Sequence, residues 1–325
     1  MQRTIEKDNL KVGMYVILPN SWFNHPFATN EFLIKSKDQI RKINESGIHK
    51  IIVDTERSIV AEEERKPEPR PEQTSKPLSR NIVPDELRDA IHNAKLPPQE
   101  KAKAVQAHSF TMISNLLDNP TAENISDTKK VIAEIVDLIL TDDATSLYLL
   151  SITSHDFYTY THSVNVGFLA VSLSKALFKK STVHNMHELG AGFFLHDLGK
   201  VHLDPAIINK PGKLTEEEMT KMKQHPHMGY KVLYETNQLT HECKKIVLQH
   251  HERYDGKGYP RGLRGDEIHL YGRICSIADV FDALTSDRPY RQKISTFPAL
   301  KLMKEQMIEH FQKELFDQFV LLFSK

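Results

Sequence analysis

Net charge is missing from this 325-residue chain: 43 Lys and Arg stand against 43 Asp and Glu. Without a global field the chain has no pull on a nucleic acid polymer or an anionic membrane surface, so any anionic ligand must be held by a local cluster. Long apolar runs are missing too. Stretches such as Ile135 to Leu140, broken by Asp137, and Val320 to Phe323 fall far short of the roughly 20 residues that cross a bilayer. Met1-Gln2-Arg3-Thr4-Ile5-Glu6 lacks the apolar stretch of a signal peptide, so a cytoplasmic protein is expected. Cysteine is scarce. Cys243 and Cys275 lie on separate apolar-periodic segments and read as small core residues in a reducing compartment, a pairing between them being left open. Histidine, in contrast, occurs seventeen times, and its placement carries the argument.

The chain reads as mainly α: an all-helical C-terminal domain preceded by a smaller α+β module. Residues 1–60 form that module. Val12 to Leu18 and Glu31 to Ile34 are strand-like and flank a turn-rich stretch holding the single tryptophan, Trp22. Ser36 with Gln39 makes a capping box, Ile40 and Ile43 continue at helical spacing, and Gly47 stops the helix before a strand from Ile48 to Val53. The module has no metal constellation, phosphate loop or nucleophile motif, which leaves it a sensory or scaffolding role. Residues 61–79, rich in Pro, Glu and Lys, cannot bury apolar area and form an exposed linker or an insertion. Residues 80–141 hold amphipathic helices at Pro84 to Asn93, Pro98 to Leu117 and Ser126 to Leu140, read as a helical connector. From 142 to 325 the chain is almost all helix, with candidates at Asp142–Leu150, Asp156–Phe178, His184–His196, Thr215–Tyr234, Thr240–His251, Leu270–Thr285 and Phe297–His310, and a shorter one near Phe316–Phe323. Only Asp204–Leu214 and Tyr254–Ile268 are long non-helical stretches, and loops at fixed places among helices tend to carry function.

The chemistry gathers in Phe193-Phe194-Leu195-His196-Asp197-Leu198-Gly199-Lys200. A His-Asp pair directly after an apolar run points into a buried pocket, where an unpaired charge costs several kcal/mol unless a cation takes it. His162 sits inside the first long helix, and alone it would read as a core histidine. His225 precedes Pro226, which bends the backbone out of regular helix and can aim the imidazole sideways. His250 and His251 end an apolar helix, where adjacent residues diverge by about 100° and share one place only if it is a pocket at the helix end. Asp279 is a carboxylate in an otherwise core-like helix. Each has an ordinary reading by itself, but five histidines and two aspartates at apolar faces or ends of five helices are better explained by one shared site. Nitrogen and oxygen donors without thiolate suit iron, manganese or nickel better than zinc. Seven donors exceed what one ion takes, so two divalent ions about 3.5–4 Å apart are expected, with Asp197 bridging them; such a pair acidifies a bridging water and stabilises in-line displacement at phosphorus.

The order His162, His196-Asp197, Lys200, His225-Pro226, His250-His251-Glu252, Asp255-Gly256-Lys257-Gly258-Tyr259-Pro260, Asp279 and Asp287-Arg288-Pro289-Tyr290-Arg291 resembles the HD-GYP family, the bacterial cyclic dinucleotide phosphodiesterases of the HD superfamily. The resemblance covers roughly Asp156 to Phe323. A weaker one, around Pro26-Phe27, Ile40 and Gly47-Ile48 to Asp54-Thr55, links the N-terminal part to the domain of unknown function that often precedes HD-GYP domains. The family resemblance implies hydrolysis of cyclic di-GMP to pGpG and, in many members, to GMP, by a bridging hydroxide at a two-metal centre. It assigns His162, His196, Asp197, His225, His250, His251 and Asp279 as metal ligands. Members with three metals place a glutamate one turn before the first histidine; here that position is Tyr158, which implies two metals. Lys200 would hold a phosphate oxygen, or serve only as a helix-end lysine. Arg288 and Arg291 would grip the non-scissile phosphate, or be solvated surface charge. Tyr259 would face a guanine, or the Gly258-Tyr259-Pro260 loop would meet a protein partner. Glu252 and Asp282 are either acids that orient histidines or plain helix surface. His227, His241 and His269 match no ligand position.

Two other functions stay open at this level. The same metal pair could act on hybrid 3',3'-cyclic GMP-AMP or on a nucleotide phosphomonoester, since the sequence does not locate the bonds that tell guanine from adenine. A receptor that binds the dinucleotide without turnover is the alternative of another class, and the intact donor set argues against it. The sequence leaves the state between monomer and homodimer open.

Overall fold

The computed structural model describes residues 2–6, 10–18, 31–34, 39–40, 43, 50–54, 57–58, 82–153, 159–179, 181–210, 212–286 and 293–324. The chain divides into two compact units, Met1–Leu78 and Ser79–Lys325.

The first unit carries a four-stranded antiparallel sheet of order β1-β4-β2-β3, with β1 at Gln2–Glu6, β2 at Tyr15–Ile17, β3 at Glu31–Leu33 and β4 at Lys50–Asp54. Its register pairs Val16 with both Phe32 and Val53. In β4, Ile51 and Val53 are buried while Ile52 between them is exposed, the two-residue alternation of a sheet with one covered face. Ile43, in a helical position, joins Val16, Leu18, Ile34 and Ile51 in the core. Strand β1 has no counterpart in the sequence reading, because Gln-Arg-Thr-Ile-Glu carries one apolar residue and no alternation to reveal it. The expected cap at Ser36, the stop at Gly47, Trp22 and the 61–79 stretch lie outside the described residues.

The second unit is helical, built round one continuous apolar core. That core runs from Leu87, Val105 and Ile135 through Phe168, Phe193 and Ile246 to Phe281 and Phe319. The helices Asp85–His92, Pro98–Asp118 and Ala122–Thr141 therefore share their packing with the helices that carry the histidines. Thr159–Phe178 lies against Met186–Phe194 and Leu270–Thr285, and His241–Gln249 lies against Met186–Phe194, His225–Glu235 and Leu270–Thr285. Both cysteines are free and buried in this core.

Four expected segments differ in detail. The helix read as running to His196 ends at Phe194, so His196 and Asp197 occupy the turn that leads into a 3-10 segment, Leu198–His202. The stretch Thr215–Tyr234 is two helices, Glu216–Met222 and His225–Glu235. Pro226 sits in the first turn of the second, where its missing N–H has no partner to lose. Within the expected loops, Pro205–Ile208 is a short helix and Gly265–Glu267 a 3-10 turn.

Candidate metal centre

All seven candidate donors converge. They form two adjoining groups, His162, His196 and Asp279 in one and Asp197, His225, His250 and His251 in the other, with donor atoms within 4.8 Å of one another in each. The glycine after Asp197-Leu198 brings the groups together. A methyl on Gly199 would sit 2.0 Å from His225 O and 2.4 Å from Gly229 N, so only glycine lets the turn bearing Asp197 lie directly on the first turn of the His225 helix.

Backbone carbonyls set the imidazoles. A carbonyl only accepts, so each ring nitrogen bonded to one carries the proton. His196 Nδ1 donates to Phe193 O at 2.7 Å, His225 Nδ1 to Met222 O at 2.7 Å, and His250 Nδ1 to Val247 O at 2.9 Å. In the neutral rings Nε2 is then a bare lone pair facing inward. His225 Nε2 and His250 Nε2 stand 3.1 Å apart, and Asp197 Oδ1 is 3.2 Å from the first and 3.7 Å from the second. Protonation does not resolve this convergence of acceptors: burial pushes His225 down to about 3 and, with neighbouring imidazoles, holds His250 well below the usual range. Three acceptors facing one point fit a cation.

The other group is built the same way. Asp197 Oδ2 lies 3.5 Å from His196 Nε2 and 3.7 Å from His162 Nε2, and Asp279 Oδ1 lies 3.0 Å from His162 Nε2. His196 Nε2 and Asp197 Oδ1 are buried with no hydrogen-bond partner. Asp279 also reaches the second group, its Oδ2 3.2 Å from His251 Nδ1. Burial alone would raise both carboxyls. Lys200 and the imidazoles around Asp197, and the His251 and His162 imidazoles at Asp279, overcome it and hold both well below the usual carboxylate range. Burial likewise pushes the Cys275 thiol up, with Asp279 and Asp197 adding to it, so it offers no thiolate.

Of the two acids left between roles, Asp282 orients a histidine. It is buried, its Oδ2 accepts from His162 Nδ1 at 2.7 Å, and its Oδ1 accepts from Asn165 Nδ2 at 2.9 Å. That is the carboxylate–histidine arrangement that aims a ligand nitrogen at a metal. Asn165 escaped the sequence reading; the one available signal was its place one turn after His162, within the mostly apolar run Val164 to Val171. Glu252 touches no imidazole nitrogen and bonds the following loop instead.

Lys200 Nζ is 2.5 Å from Asp197 Oδ2, where it acts as a counter-cation to the buried carboxylate. Tyr259 lies beside the second group, its ring centroid 4.7 Å from that of His251. Burial raises its phenol, the Asp279 and Asp197 carboxylates adding to the effect, so it stays neutral. Tyr158, Arg288 and Arg291 lie outside the described residues. His241 and His269 face each other at 5.7 Å, and His227 is exposed; none of the three belongs to either donor group.

A helical unit with two adjoining imidazole and carboxylate sets, joined by a His-Asp pair in a turn that gives one residue to each, defines a divalent-metal protein of the HD type. Residues 149–315 match the HD domain family model, and residues 2–133 match the model described as a domain of unknown function (DUF3391). A cyclic di-GMP phosphodiesterase of Pseudomonas aeruginosa, PA4108, is 32% identical over 98% of this chain and 76% of its own length. The cyclic di-GMP phosphodiesterase response regulator RpfG of Xanthomonas campestris is 49% identical over 34% of this chain, which spans only 30% of that protein. A 3'3'-cGAMP-specific phosphodiesterase of Vibrio cholerae is 41% identical over 38% of this chain and 26% of its own length. Among solved structures, Bd1817, an HDG"Y"P protein from Bdellovibrio bacteriovorus, shares the fold over the whole of both chains with a TM-score of 0.63 at 16% identity. The chain belongs to the HD domain family and, within it, to the cyclic dinucleotide phosphodiesterases of the HD-GYP type. No helix among the described residues is long and apolar enough to cross a membrane.

Proposed function

We propose that the chain hydrolyses cyclic di-GMP, opening the ring to pGpG and continuing to GMP, at a centre of two divalent ions. The observation that carries this reading is the Asp197 carboxylate: Oδ1 faces His225 and His250 while Oδ2 faces His162 and His196, so one side chain serves two donor sets. His162, His196 and Asp279 would complete one ion's shell and His225, His250 and His251 the other's, with iron or manganese suited to the donors and nickel allowed. Ions bound there would supply Lewis acidity, screening the phosphodiester charge and acidifying a water between them. The side chains supply the rest. Carbonyl-bonded Nδ1 atoms and Asp282 fix the rings before substrate arrives. Lys200, whose ammonium lies beside the Asp197 carboxylate, would take a phosphate oxygen. Arg288 and Arg291 are proposed to grip the second phosphate, and Tyr259 to wall the pocket against a guanine.

Relatives named as 3'3'-cGAMP-specific phosphodiesterases support hydrolysis of the hybrid dinucleotide as the second reading. Turnover of the two dinucleotides by the anaerobically purified protein, with metal analysis on the same sample, separates the readings. Asp197→Ala is expected to lose most of the bound metal and at least about a thousandfold in kcat, as loss of a shared ligand requires; activity surviving that change would place the reaction elsewhere.

A further inference from the structure

Glu252 directly follows the donors His250-His251, is 1% exposed, and belongs to neither donor group. Burying a carboxylate is unfavourable unless its oxygens are bonded. Here each oxygen is taken by a backbone N–H of the next loop: Arg261 N donates to Oε1 at 2.7 Å, and Leu263 N donates to Oε2 at 2.9 Å. Two further ties hold the same loop to the donor segment. Tyr259 N donates to His251 O at 3.1 Å. A methyl at Gly258 would sit 2.3 Å from Arg253 N and 2.5 Å from His251 O, so glycine lets the two backbones touch.

These ties fix one side chain in particular. The Tyr259 ring is tilted 33° to the His251 ring, and the Lys223 ammonium lies over it at 5.6 Å from the centroid. His251 is the most exposed of the seven donors, its side chain 22% accessible against 10% for Asp279 and 2% or less for the others. Tyr259 therefore stands at the open side of the centre, where a substrate must enter.

We infer that Glu252 is a positioning residue: by clamping the backbone on the far side of Tyr259-Pro260, it sets the Tyr259 ring as a fixed wall at the mouth of the metal centre. The inference rests on the proposed dinucleotide hydrolysis for what the wall contacts. A displaced wall weakens binding of substrate and transition state alike, so the effect belongs in KM.

The test uses Glu252→Gln, whose amide sets an NH2 against one of the two N–H donors. In E252Q the Arg261 and Leu263 amides exchange with deuterium at least about tenfold faster, metal content is unchanged, and KM for cyclic di-GMP rises roughly ten- to a hundredfold with kcat within about twofold. Tyr259→Ala gives the same KM change, and adding E252Q to it gives no further loss. Glu252→Asp keeps the charge but reaches one donor at best; it gives an intermediate KM and replaces E252Q if that variant does not fold. Unchanged amide exchange, metal loss from E252Q, a fall in kcat at constant KM, or additive effects in the double variant would each overturn the assignment. Exchange is measured without turnover, so the clamp is judged separately from the substrate: a wild type inert toward cyclic di-GMP removes the proposed function and leaves the clamp standing or falling by its amides.

Discussion

His162 shows how strongly single side chains here depend on what faces them. Burial pulls its pKa down, but the hydrogen bonds its ring donates to Asp279 and Asp282 override that and raise it to about 9 in the metal-free protein. A metal needs the neutral ring, so binding must displace this proton. Apparent metal affinity is therefore expected to climb by about tenfold per pH unit through neutrality and to level off above about pH 9. Asp282→Asn should move the plateau to lower pH and weaken binding by roughly ten- to a hundredfold. Metal titration of the apoprotein at several pH values checks both; affinity that is flat between pH 6 and 9 would contradict the assignment. The same shift acts on the fold with the opposite slope. A folded-state pKa above the ordinary 6.5 means that the stabilisation is complete below 6.5 and is lost as pH rises through about 9.

At the scale of elements, turns rather than helices shape the centre. His196-Asp197 lies past the end of Met186–Phe194, His250-His251 lies past the end of His241–Gln249, and His225 opens a helix in front of Pro226. Gly199→Ala would press a methyl into the backbone of His225 and Gly229, which cannot give way as a flexible side chain can. It is expected to cost several kcal/mol and to deplete metal from the His225 group first. Thermal melting with metal analysis reads this out, and a variant as stable and as metal-rich as the parent would refute it. The donors themselves were legible because each breaks the apolar pattern of a helix that otherwise reads as core. Asp279 among Ile277, Ala278 and Phe281 is the plainest case. The tight passage at Gly199 was not legible, since it depends on which backbone comes to lie against it. Asn165 was hidden for a similar reason: its partner Asp282 is 117 residues further on. The end of the helix at Phe194 was missed because nothing in Leu195-His196-Asp197 is a helix breaker, and the packing at Gly199 decides it. Strand β1 was missed because its pairing with β4, not its composition, makes it a strand.

Over the whole molecule, the helices Asp85–His92, Pro98–Asp118 and Ala122–Thr141 belong to the same apolar core as the donor helices. A fragment of residues 79–325 is thus expected to fold, bind metal and retain turnover, whereas one of residues 142–325 loses the helix Ala122–Thr141 that packs on Met186–Phe194 and exposes part of the shared apolar core. Circular dichroism and metal content of the two fragments decide this; a stable, metal-binding 142–325 fragment would show that the preceding helices are dispensable. The spread of the donors has one more effect. His162 and its anchoring acid Asp282 are 120 positions apart, and no short stretch between them holds a complete set. A growing polypeptide leaving the ribosome therefore has no anchor for the His162 ring until Asp282 has been made, so this donor group takes its shape only once the chain has closed on itself.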